Sequence, residues 1–339
     1  MGRKKIVVTG GAGYIGSHVA IALWQAGYEP IIIDNFSNSE HRIIDGIKSI
    51  TGQDVVLHEG DCADQDFLIK VFEKEGVVVG AMHFAAFKAV GESFDKPLEY
   101  YHNNIGSLIF LIKAMQESQC RNLVFSSSAT VYGEPDELPV TELSPQKLAL
   151  SPYGNTKQIC EKIIEDAAKS GMPLKSIALR YFNPIGAHPS ALIGELPLGM
   201  PNNLVPVITQ TAAGIREKLT VFGNDYDTPD KTCVRDYIDI MDLAEAHVDT
   251  LVYLERIKED NCFDAINVGT GQGHSVAEVL EAFQRINNVK VNFVIGKRRF
   301  GDIAKLYANV KKAELVLGWK AKYTIEESLK NAWKWQLAL

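Results

Sequence analysis

The stretch IVVTGGAGYIG, residues 6–16, constrains the fold of this chain more than any other feature. A short apolar run leads into a glycine cluster, and a helix-forming run follows. Gly11, Gly13 and Gly16 fit the pattern G-x-G-x-x-G. Gly10 begins the looser pattern G-x-x-G-x-x-G with the same two later glycines. A strand, a glycine turn and a helix in this order predict a dinucleotide site, where the backbone approaches a pyrophosphate at the helix N-terminus.

Acidic residues end the second and third predicted strands. Asp34 follows Gly16 by 18 residues and can accept hydrogen bonds from both hydroxyls of an adenosine ribose. A carboxylate there repels a 2′-phosphate, and the neighbouring Asn35 is no phosphate-binding arginine, so NAD is predicted rather than NADP. Asp61 is predicted to hold the adenine amino group, although an N-cap of the following helix explains it equally well.

Short apolar runs alternate with longer amphipathic stretches from Lys5 to about Phe182. Apolar strands separated by helices indicate a parallel sheet that is buried on both faces, and right-handed crossovers make it doubly wound. The predicted fold class is α/β, with a Rossmann-type doubly wound parallel sheet and a smaller mixed α/β C-terminal substrate domain. The predicted strands are KIVVTG, PIIIDN, VVLHEGD, VGAMHFA, NLVFSSS and SIALRYF.

After Asn183 the alternation loosens, and a stretch rich in proline and glycine surrounds one predicted helix, NLVPVITQTAAGIREK. The segment VRDYIDIMDLAEAHVDTLVYL is predicted as a helix entry and a helix, and FDAINVG as a strand that returns to the sheet. A chain of 339 residues suits about two domains. The NAD-binding domain is placed at 1–183, with about 234–270 returning to it, and a discontinuous substrate domain at 184–339.

Composition argues against several classes of partner. The net charge is −7 and no run is rich in lysine or arginine, so nucleic acid is not an expected partner. No apolar run approaches about 18 residues, so no membrane span is expected, and the N-terminus is predicted as a strand rather than a signal peptide. The cysteines predict neither disulfides nor a metal site, and they fit a reducing, cytoplasmic setting. They are dispersed, at Cys62, Cys120, Cys160, Cys233 and Cys262.

Three further residues form a candidate proton-transfer set. Ser128 ends a predicted strand at the sheet edge that borders the ligand crevice. Tyr153 and Lys157 are four residues apart, which places them on one face of a helix. A tyrosine with an ordinary pKa near 10 is a poor base, but Lys157 and a positive nicotinamide ring both favour its phenolate. Tyr153 is then predicted to take a hydroxyl proton, with Ser128 bonding the reacting oxygen and Lys157 holding the nicotinamide ribose.

Several longer motifs resemble the UDP-glucose 4-epimerase family of extended short-chain dehydrogenases/reductases. The likeness runs from Lys5 to near Trp335. The most specific parts are RYFNPIGAHPS, KAVGES and PNNL, and other shared motifs are SSSATVYG, SPYGNTK, FGNDYDTPD and VRDY. The resemblance implies C4 epimerisation of UDP-glucose and UDP-galactose through a transient 4-keto intermediate, in galactose metabolism, with NAD retained throughout. It also implies that residues 184–339 bind the nucleotide sugar and that the protein is a homodimer.

The resemblance carries site residues onto this chain. It implies that Tyr153 is the base, with Ser128 as its partner and Lys157 beside them. Implied cofactor contacts are Gly10, Gly13, Tyr14, Ile15, Gly16, Asp34, Asn35, Asp61, Cys62, Phe84, Lys88, Lys157 and Phe182. Implied substrate contacts are Ser128, Tyr153, Asn183, Asn203, Leu204, Phe222, Arg235, Arg299 and Asp302. The arginines suit a diphosphate. From the residues alone, Arg235 could simply pair with Asp236 at a helix start, and Arg298 and Arg299 could form a solvated basic spot.

The chain departs from the family pattern at three positions, and a fourth lies where family members differ in bulk. Ala86 and Phe87 stand where the family commonly has Gly-Leu, and Asp239 stands where histidine is common. Leu306 stands where a large aromatic residue excludes N-acetylated sugars and a small residue admits them. Leucine is intermediate in size, so UDP-N-acetylhexosamines remain open as substrates.

Two other functions are compatible with the same fold. A nucleotide-sugar 4,6-dehydratase or decarboxylase is the first, but a dehydratase needs an acid beside the serine position. Ser128 is followed by Ala129, Thr130 and Val131, without an acid. The second is an NAD-responsive binding protein without catalysis, since fold does not imply function. The intact set of Ser128, Tyr153 and Lys157 argues against it.

Overall fold

The computed structural model describes residues 2–199, 201–299 and 301–339. Within them, a sheet of seven parallel strands forms the centre of the molecule, in the order β11-β6-β5-β4-β1-β2-β3. Its strands are β1 (Lys4–Thr9), β2 (Tyr28–Asp34), β3 (Val56–Glu59), β4 (Val78–His83), β5 (Asn122–Ser128), β6 (Lys175–Tyr181) and β11 (Cys262–Val268). The shorter strands are β7 (Asn183–Ile185), β8 (Leu219–Phe222), β9 (Val234–Arg235), β10 (Tyr237–Asp239), β12 (His274–Ser275), β13 (Phe293–Gly296) and β14 (Lys305–Leu306).

Helices connect the strands and cover both faces of the sheet. They are α1 (Tyr14–Gln25), α2 (His41–Thr51), α3 (Gln65–Glu75), α4 (Val90–Asp95), α5 (Pro97–Glu117), α6 (Pro152–Lys169), α7 (Leu204–Ala212), α8 (Ile240–Arg256), α9 (Val276–Asn287), α10 (Lys311–Leu317) and α11 (Ile325–Ala338). Among the helices of the described ranges, none is long and apolar enough to cross a membrane.

The strand order confirms the predicted doubly wound fold. Each of the six apolar runs named from the sequence overlaps one strand of the sheet, and the predicted return of FDAINVG is confirmed because β11 pairs with β6. β1 lies between β4 and β2, so the chain winds outward in both directions from it. Ligands bind where the winding reverses, in the crevice at the carboxyl ends of these strands.

Alternation along each strand explains why both faces of the sheet are buried. Ile6 and Val8 on β1 pack with Leu251 of α8 on one face, while Val7 packs with Leu108 of α5 on the other. Successive side chains of a strand point to opposite faces, so continuous apolar runs supply two cores at once. The sheet is thereby fixed rigidly below the crevice.

Two predictions about the second half of the chain are wrong in detail. The predicted helix NLVPVITQTAAGIREK ends at Ala212, because Gly214 takes a left-handed backbone with φ of 74° and turns the chain. The segment beginning VRDYID forms β9 and β10 before α8 starts, since both strands pair with distant strands rather than with local residues. The division into domains at residue 183 stays a prediction.

Candidate active site

A single cleft of about 900 Å³ brings together most of the predicted site residues. It opens above the carboxyl ends of β1, β2, β4, β5 and β6. The predicted residues that line it are Gly10, Gly13, Tyr14, Ile15, Gly16, Asp34, Asn35, Asp61, Cys62, Phe84, Lys88, Ser128, Tyr153, Lys157, Phe182, Asn183, Asn203, Leu204, Arg235, Asp302 and Leu306. Ala86 and Phe87 line it as well. Phe222 and Arg299 are not among the described residues of this lining.

The glycine turn has no room for side chains. Gly10 has a φ of 66°, and a Cβ atom on Gly16 would lie 2.2 Å from the carbonyl oxygen of Gly10. Gly13 is the N-cap of α1 and provides no side chain to the free N–H groups of the first turn. Those groups and the positive end of the helix dipole therefore remain available to an anion. The turn fits the diphosphate of a dinucleotide.

Asp34 connects the glycine turn to the loop after β2. Its Oδ2 accepts a hydrogen bond from the Ala12 N–H at 2.9 Å. Its Oδ1 accepts from the Phe36 N–H and from the Ser39 hydroxyl, both at 2.9 Å. A carboxylate offers about four acceptor positions, so about one is left for a ribose hydroxyl, where two contacts were expected.

Asp61 faces the same end of the cleft. The side chain of Asn35 donates to Asp61 Oδ2 at 3.3 Å, and the Ala63 N–H donates to Asp61 Oδ1 at 2.8 Å. The N-cap of α3 is Asp64, whose side chain accepts from the Phe67 N–H. The interpretation of Asp61 as the helix N-cap is therefore wrong, and the predicted adenine contact stays a prediction.

Tyr153, Lys157 and Ser128 meet at the centre of the cleft. The Ser151 side chain caps α6 by accepting from the Gly154 N–H at 3.1 Å, which fixes Tyr153 in the first turn. Lys157 lies one turn later and donates from Nζ to the Ser126 carbonyl oxygen at 2.7 Å. Its Nζ is 5.9 Å from the centroid of the Tyr153 ring. The predicted helical face thus places phenol, ammonium and strand end side by side.

Burial dominates the protonation of this set. It raises the pKa of Tyr153 to about 12, and the hydrogen bond from Ser128 lowers that pKa in part. Burial also lowers the pKa of Lys157 to about 8, against the opposing effects of Cys160 and Glu161. At neutral pH, these pKa values give the protein's own residues a neutral Tyr153 phenol beside the Lys157 ammonium. Ser128 is the side chain that lowers the pKa of Tyr153 here, and the predicted effect of Lys157 on the phenolate stays a prediction.

Arg235 lines the same cleft. Its Nη2 is 3.7 Å from Asp302 Oδ1, and the arginine is mostly shielded from solvent. Asp236 accepts instead from the backbone of Thr270, Gly271 and Ala308. The pairing of Arg235 with Asp236 that the residues alone left open is therefore wrong, and the guanidinium faces the cleft.

Phe222 and Arg299 form a contact outside this lining. The Arg299 guanidinium lies 4.5 Å from the centroid of the Phe222 ring, within the range of a cation–π interaction. Arg298 pairs with Asp225, its Nε 2.8 Å from Oδ1. Phe222 keeps 39% of its surface exposed. Their predicted roles toward a uracil and a diphosphate stay predictions.

Glu195 is a cleft residue that the sequence did not indicate. Lys88 Nζ is 3.2 Å from Glu195 Oε1, and Asn203 Nδ2 donates to the same oxygen at 2.8 Å. One carboxylate therefore bridges a predicted cofactor contact and a predicted substrate contact. Asn103 and Tyr181 also line the cleft without having been predicted. Glu195 lies in a loop with no periodic pattern, whereas Tyr181 directly precedes the predicted Phe182.

Comparison with known proteins places this site among nucleotide-sugar enzymes. The family model described as GDP-mannose 4,6 dehydratase matches residues 7–332. The chain is 48% identical to UDP-glucose 4-epimerase of Dictyostelium discoideum, over 98% of this chain and 95% of that protein. It is 47% identical to UDP-glucose 4-epimerase of Bacillus subtilis, over 98% of this chain and 96% of that protein.

Solved structures agree with these relatives. UDP-glucose-4-epimerase from Stenotrophomonas maltophila, with bound NAD and formylated UDP-arabinopyranose, superposes with a TM-score of 0.94 at 45% identity, covering 99% of this chain and 98% of that one. UDP-glucose 4-epimerase from Bifidobacterium longum, in complex with NAD+ and UDP, gives a TM-score of 0.94 at 42% identity, with the same coverage.

Proposed function

This chain belongs to the UDP-glucose 4-epimerase family, and from that membership we propose that it is an NAD-dependent isomerase that inverts C4 of UDP-hexoses. Its substrates are UDP-glucose and UDP-galactose, and its role is in galactose metabolism. The observation that carries the proposal is the meeting of Ser128, Tyr153 and Lys157 in the same cleft as the glycine turn. A shared cleft puts proton transfer next to a dinucleotide site.

The chain's own residues suit the cofactor. The uncapped first turn of α1 and the close approach of Gly16 to Gly10 fit its diphosphate, and Asp34 is available to its adenosine ribose. When bound, NAD supplies a hydride acceptor that can give the hydride back. Because the sugar is oxidised and reduced in one turnover, no net oxidant is needed and the cofactor remains in place.

Tyr153 handles the proton of the sugar C4 hydroxyl. It accepts that proton as the 4-keto sugar forms and returns it when the alcohol is restored on the other face. The hydrogen bond between Ser128 and Tyr153 favours the phenolate and places the serine hydroxyl beside the reacting oxygen. Lys157, held by the Ser126 carbonyl, keeps a positive charge at the centre of the cleft.

Inversion requires that the uridine diphosphate stays bound while the sugar turns. Arg235 and Asp302 line the same cleft as Tyr153, and a guanidinium suits diphosphate oxygens. Asn183, Asn203 and Leu204 line this cleft as well. Strong contacts to the diphosphate and few to the sugar place the binding energy on the part that does not react.

Epimerisation fits better than dehydration, although the matching family model is described as a dehydratase. The 3₁₀ turn that follows Ser128 consists of Ala129–Tyr132. It brings no carboxyl group next to the reacting centre, whereas expulsion of water from a sugar needs an acid there. A stable 4-keto product would favour the dehydratase.

The direct test is an assay with no added nicotinamide. Purified protein is incubated with UDP-galactose, product is separated from substrate, and absorbance near the band of reduced nicotinamide is followed. We expect UDP-glucose to form until equilibrium is reached, with no net change in the nicotinamide band. Protein that carries NAD and leaves UDP-galactose unchanged would refute the proposal.

Leu306 bears on whether N-acetylated sugars are accepted. It lies on β14 opposite Arg235, is 8% exposed and lines the cleft. We propose that a bulkier side chain here narrows the space for the sugar. A parallel assay with UDP-N-acetylglucosamine, comparing the wild type with Leu306→Tyr, measures this. Loss of the N-acetylated substrate alone in the variant is the expected result.

We also propose a reducing cytoplasmic setting and a homodimer. All five cysteines are free thiols, which a reducing compartment maintains. The helices α5 and α6 pack against each other on one face of the sheet and offer a surface for a second copy.

A further inference from the structure

A buried ion pair lies behind the proton-transfer set. Tyr153, Lys157 and Glu161 follow each other at intervals of four residues on α6. The first two line the cleft, whereas Glu161 is not among the described residues of that lining. Glu161 pairs with Arg180 of β6, with Oε2 and Nη2 2.7 Å apart and side chains 4% and 6% exposed. No step of the proposed reaction uses this pair.

Four hydrogen bonds occupy the Glu161 carboxylate. Oε1 accepts from the Ser127 hydroxyl at 2.5 Å and from Arg180 Nε at 3.0 Å. Oε2 accepts from Arg180 Nη2 at 2.7 Å and from Gln146 Nε2 at 2.8 Å. The donors come from β5, β6 and the segment before α6. This one side chain therefore joins the helix that carries Tyr153 to the strand that carries Ser128.

The register between β5 and β6 explains how the hydrogen bonds of Glu161 can influence the residues of the cleft. Ser127 pairs directly with Arg180 across β5 and β6, so both side chains face α6. Ser127 stands between Ser126, whose carbonyl holds the Lys157 ammonium, and Ser128, which bonds Tyr153. A shift of Ser127 along α6 would move both neighbours together.

We propose that the Glu161–Arg180 pair is a positioning device for the proton-transfer set, fixing the end of β5 against α6 and supplying the negative charge that accompanies the Lys157 ammonium. The pair touches no reacting atom, so its members are positioning residues. The kinetic consequences of this inference rest on the proposed function. Its effect on the pKa of Lys157 can be measured without catalysis.

The first part of the proposed effect is electrostatic and concerns the pKa of Lys157. The groups that face Lys157 come from two strands and from its own helix. They are the neutral His83 of β4, the Ser126 carbonyl and Phe125 ring of β5, and Tyr153, Cys160 and Glu161 of α6. Tyr181 and Arg180 of β6 lie beyond them. Glu161 raises the pKa of Lys157 against the burial that lowers it to about 8. Without the carboxylate, the positive charge of Arg180 would remain uncompensated, and Lys157 would lose its proton at lower pH.

The test follows Lys157 directly by NMR of the full chain with carbon-labelled lysine side chains. The resonance is assigned by its absence in Lys157→Met, and it stands apart because exposed lysines titrate near 10.4. Wild type should titrate near 8, and Glu161→Gln about one pH unit lower. Glu161→Gln combined with Arg180→Met removes both charges and should return the midpoint toward the wild type. An unchanged midpoint in Glu161→Gln would overturn the charge part of the proposal.

Kinetics test the positioning part. Arg180→Lys keeps both charges but loses the two-pronged contact, so kcat should fall at least 10-fold with little change in KM. The alkaline limb of its pH profile should stay in place, whereas that of Glu161→Gln should move to lower pH. Glu165→Gln, one turn later on the same helix and paired only with exposed lysines, is the matched control and should change neither.

The outcomes separate the two proposals. If wild type lacks epimerase activity but Lys157 titrates as expected in all variants, the proposed function fails and the charge part of the inference stands. If Arg180→Lys has the wild-type kcat, or if Glu161→Gln lowers kcat without moving the pH profile or the NMR midpoint, the pair is only structural. Should Glu161→Gln fail to fold, Arg180→Lys still decides the positioning part.

Discussion

Tyr153 is the residue on which the proposed chemistry depends. It lies in the first turn of α6, and its hydroxyl is bonded by Ser128. Replacing Tyr153 by phenylalanine removes the phenol oxygen that is proposed to take the C4 proton. We expect kcat to fall roughly 10²- to 10⁴-fold, with the affinity for UDP retained. Steady-state kinetics and calorimetry measure the two quantities.

The matched control for this change is Tyr253→Phe. Tyr253 lies on α8, away from the cleft lining, so this variant should keep the wild-type kcat. Wild-type activity in Tyr153→Phe would remove the tyrosine from the mechanism.

For individual residues, spacing in the sequence predicted which side chains share a helix face, but it did not predict their hydrogen-bond partners. Four-residue spacing placed Tyr153 and Lys157 on one face, and the structure has them there. The hydrogen bond from Lys157 is accepted by a carbonyl oxygen 31 residues away in the sequence. Glu195 accepts a hydrogen bond from Lys88, which lies 107 residues away. Contacts of this kind depend on tertiary packing, which leaves no local pattern in a sequence.

The glycine turn is the element that decides cofactor binding. In Gly16→Ala, the new Cβ would lie 2.2 Å from the Gly10 carbonyl oxygen and 2.8 Å from Gly11 Cα. Both are backbone atoms, so the turn must shift, at a cost of roughly 1–3 kcal/mol in stability. We expect the purified variant to carry little NAD, measured by chromatography of the denatured protein.

Gly106→Ala provides the comparison within another helix. Its Cβ would meet only Phe110, at 3.9 Å, inside α5. Alanine is the better helix former, so we expect a gain of about 0.5–1 kcal/mol and normal NAD content. Full NAD retention in Gly16→Ala would contradict the role given to the turn.

Asp239 joins two helices of the second half of the chain. Its Oδ1 caps α8 by accepting from the Met241 N–H at 2.7 Å, and its Oδ2 accepts from the Ser328 hydroxyl of α11 at 2.6 Å. Burial raises the pKa of Asp239 to about 7. The sequence marked this position as unusual without explaining it, because the partner lies 89 residues away.

The raised pKa of Asp239 sets a pH dependence of stability. Because the folded pKa lies above the unfolded one, the favourable contribution is complete below about pH 4 and is lost as the pH rises through about 7. Asp239→Asn stays neutral and still caps the helix. We expect it to be about 1–2 kcal/mol more stable than wild type at pH 8, with the gain vanishing at low pH.

Thermal unfolding at several pH values measures this effect. Asp260→Asn, at an exposed carboxylate, should show no such trend. A variant that is less stable than wild type at pH 8 but equally stable at low pH would show that the carboxylate form is the one the fold needs.

The architecture of the whole molecule followed from the alternation of apolar runs. Six strands and the later return of β11 were predictable because each carries an apolar run, and all but the four-residue β3 have six or seven residues. The strands β9 and β10, of two and three residues, were not, since such short strands carry no period. Phe222 and Arg299 face each other rather than the described cleft lining, which the motif alone did not indicate.

Assembly is the remaining prediction for the whole molecule. The helices α5 and α6 lie together on one face, and Leu98 on α5 is 80% exposed. Pairing of two such faces would bury this apolar surface from both copies. We expect light scattering to give about twice the chain mass of 37.4 kDa. A mass equal to one chain would exclude the homodimer.

The fate of the hydrogen at C4 tests the central claim most directly. UDP-glucose with deuterium at C4 is incubated with the protein in ordinary water, and the UDP-galactose formed is examined by mass spectrometry and proton NMR. A hydride that leaves C4 and returns to it within a site that excludes water does not exchange with solvent. The account predicts that the product keeps nearly all of the deuterium at C4, and a product carrying protium there would contradict it.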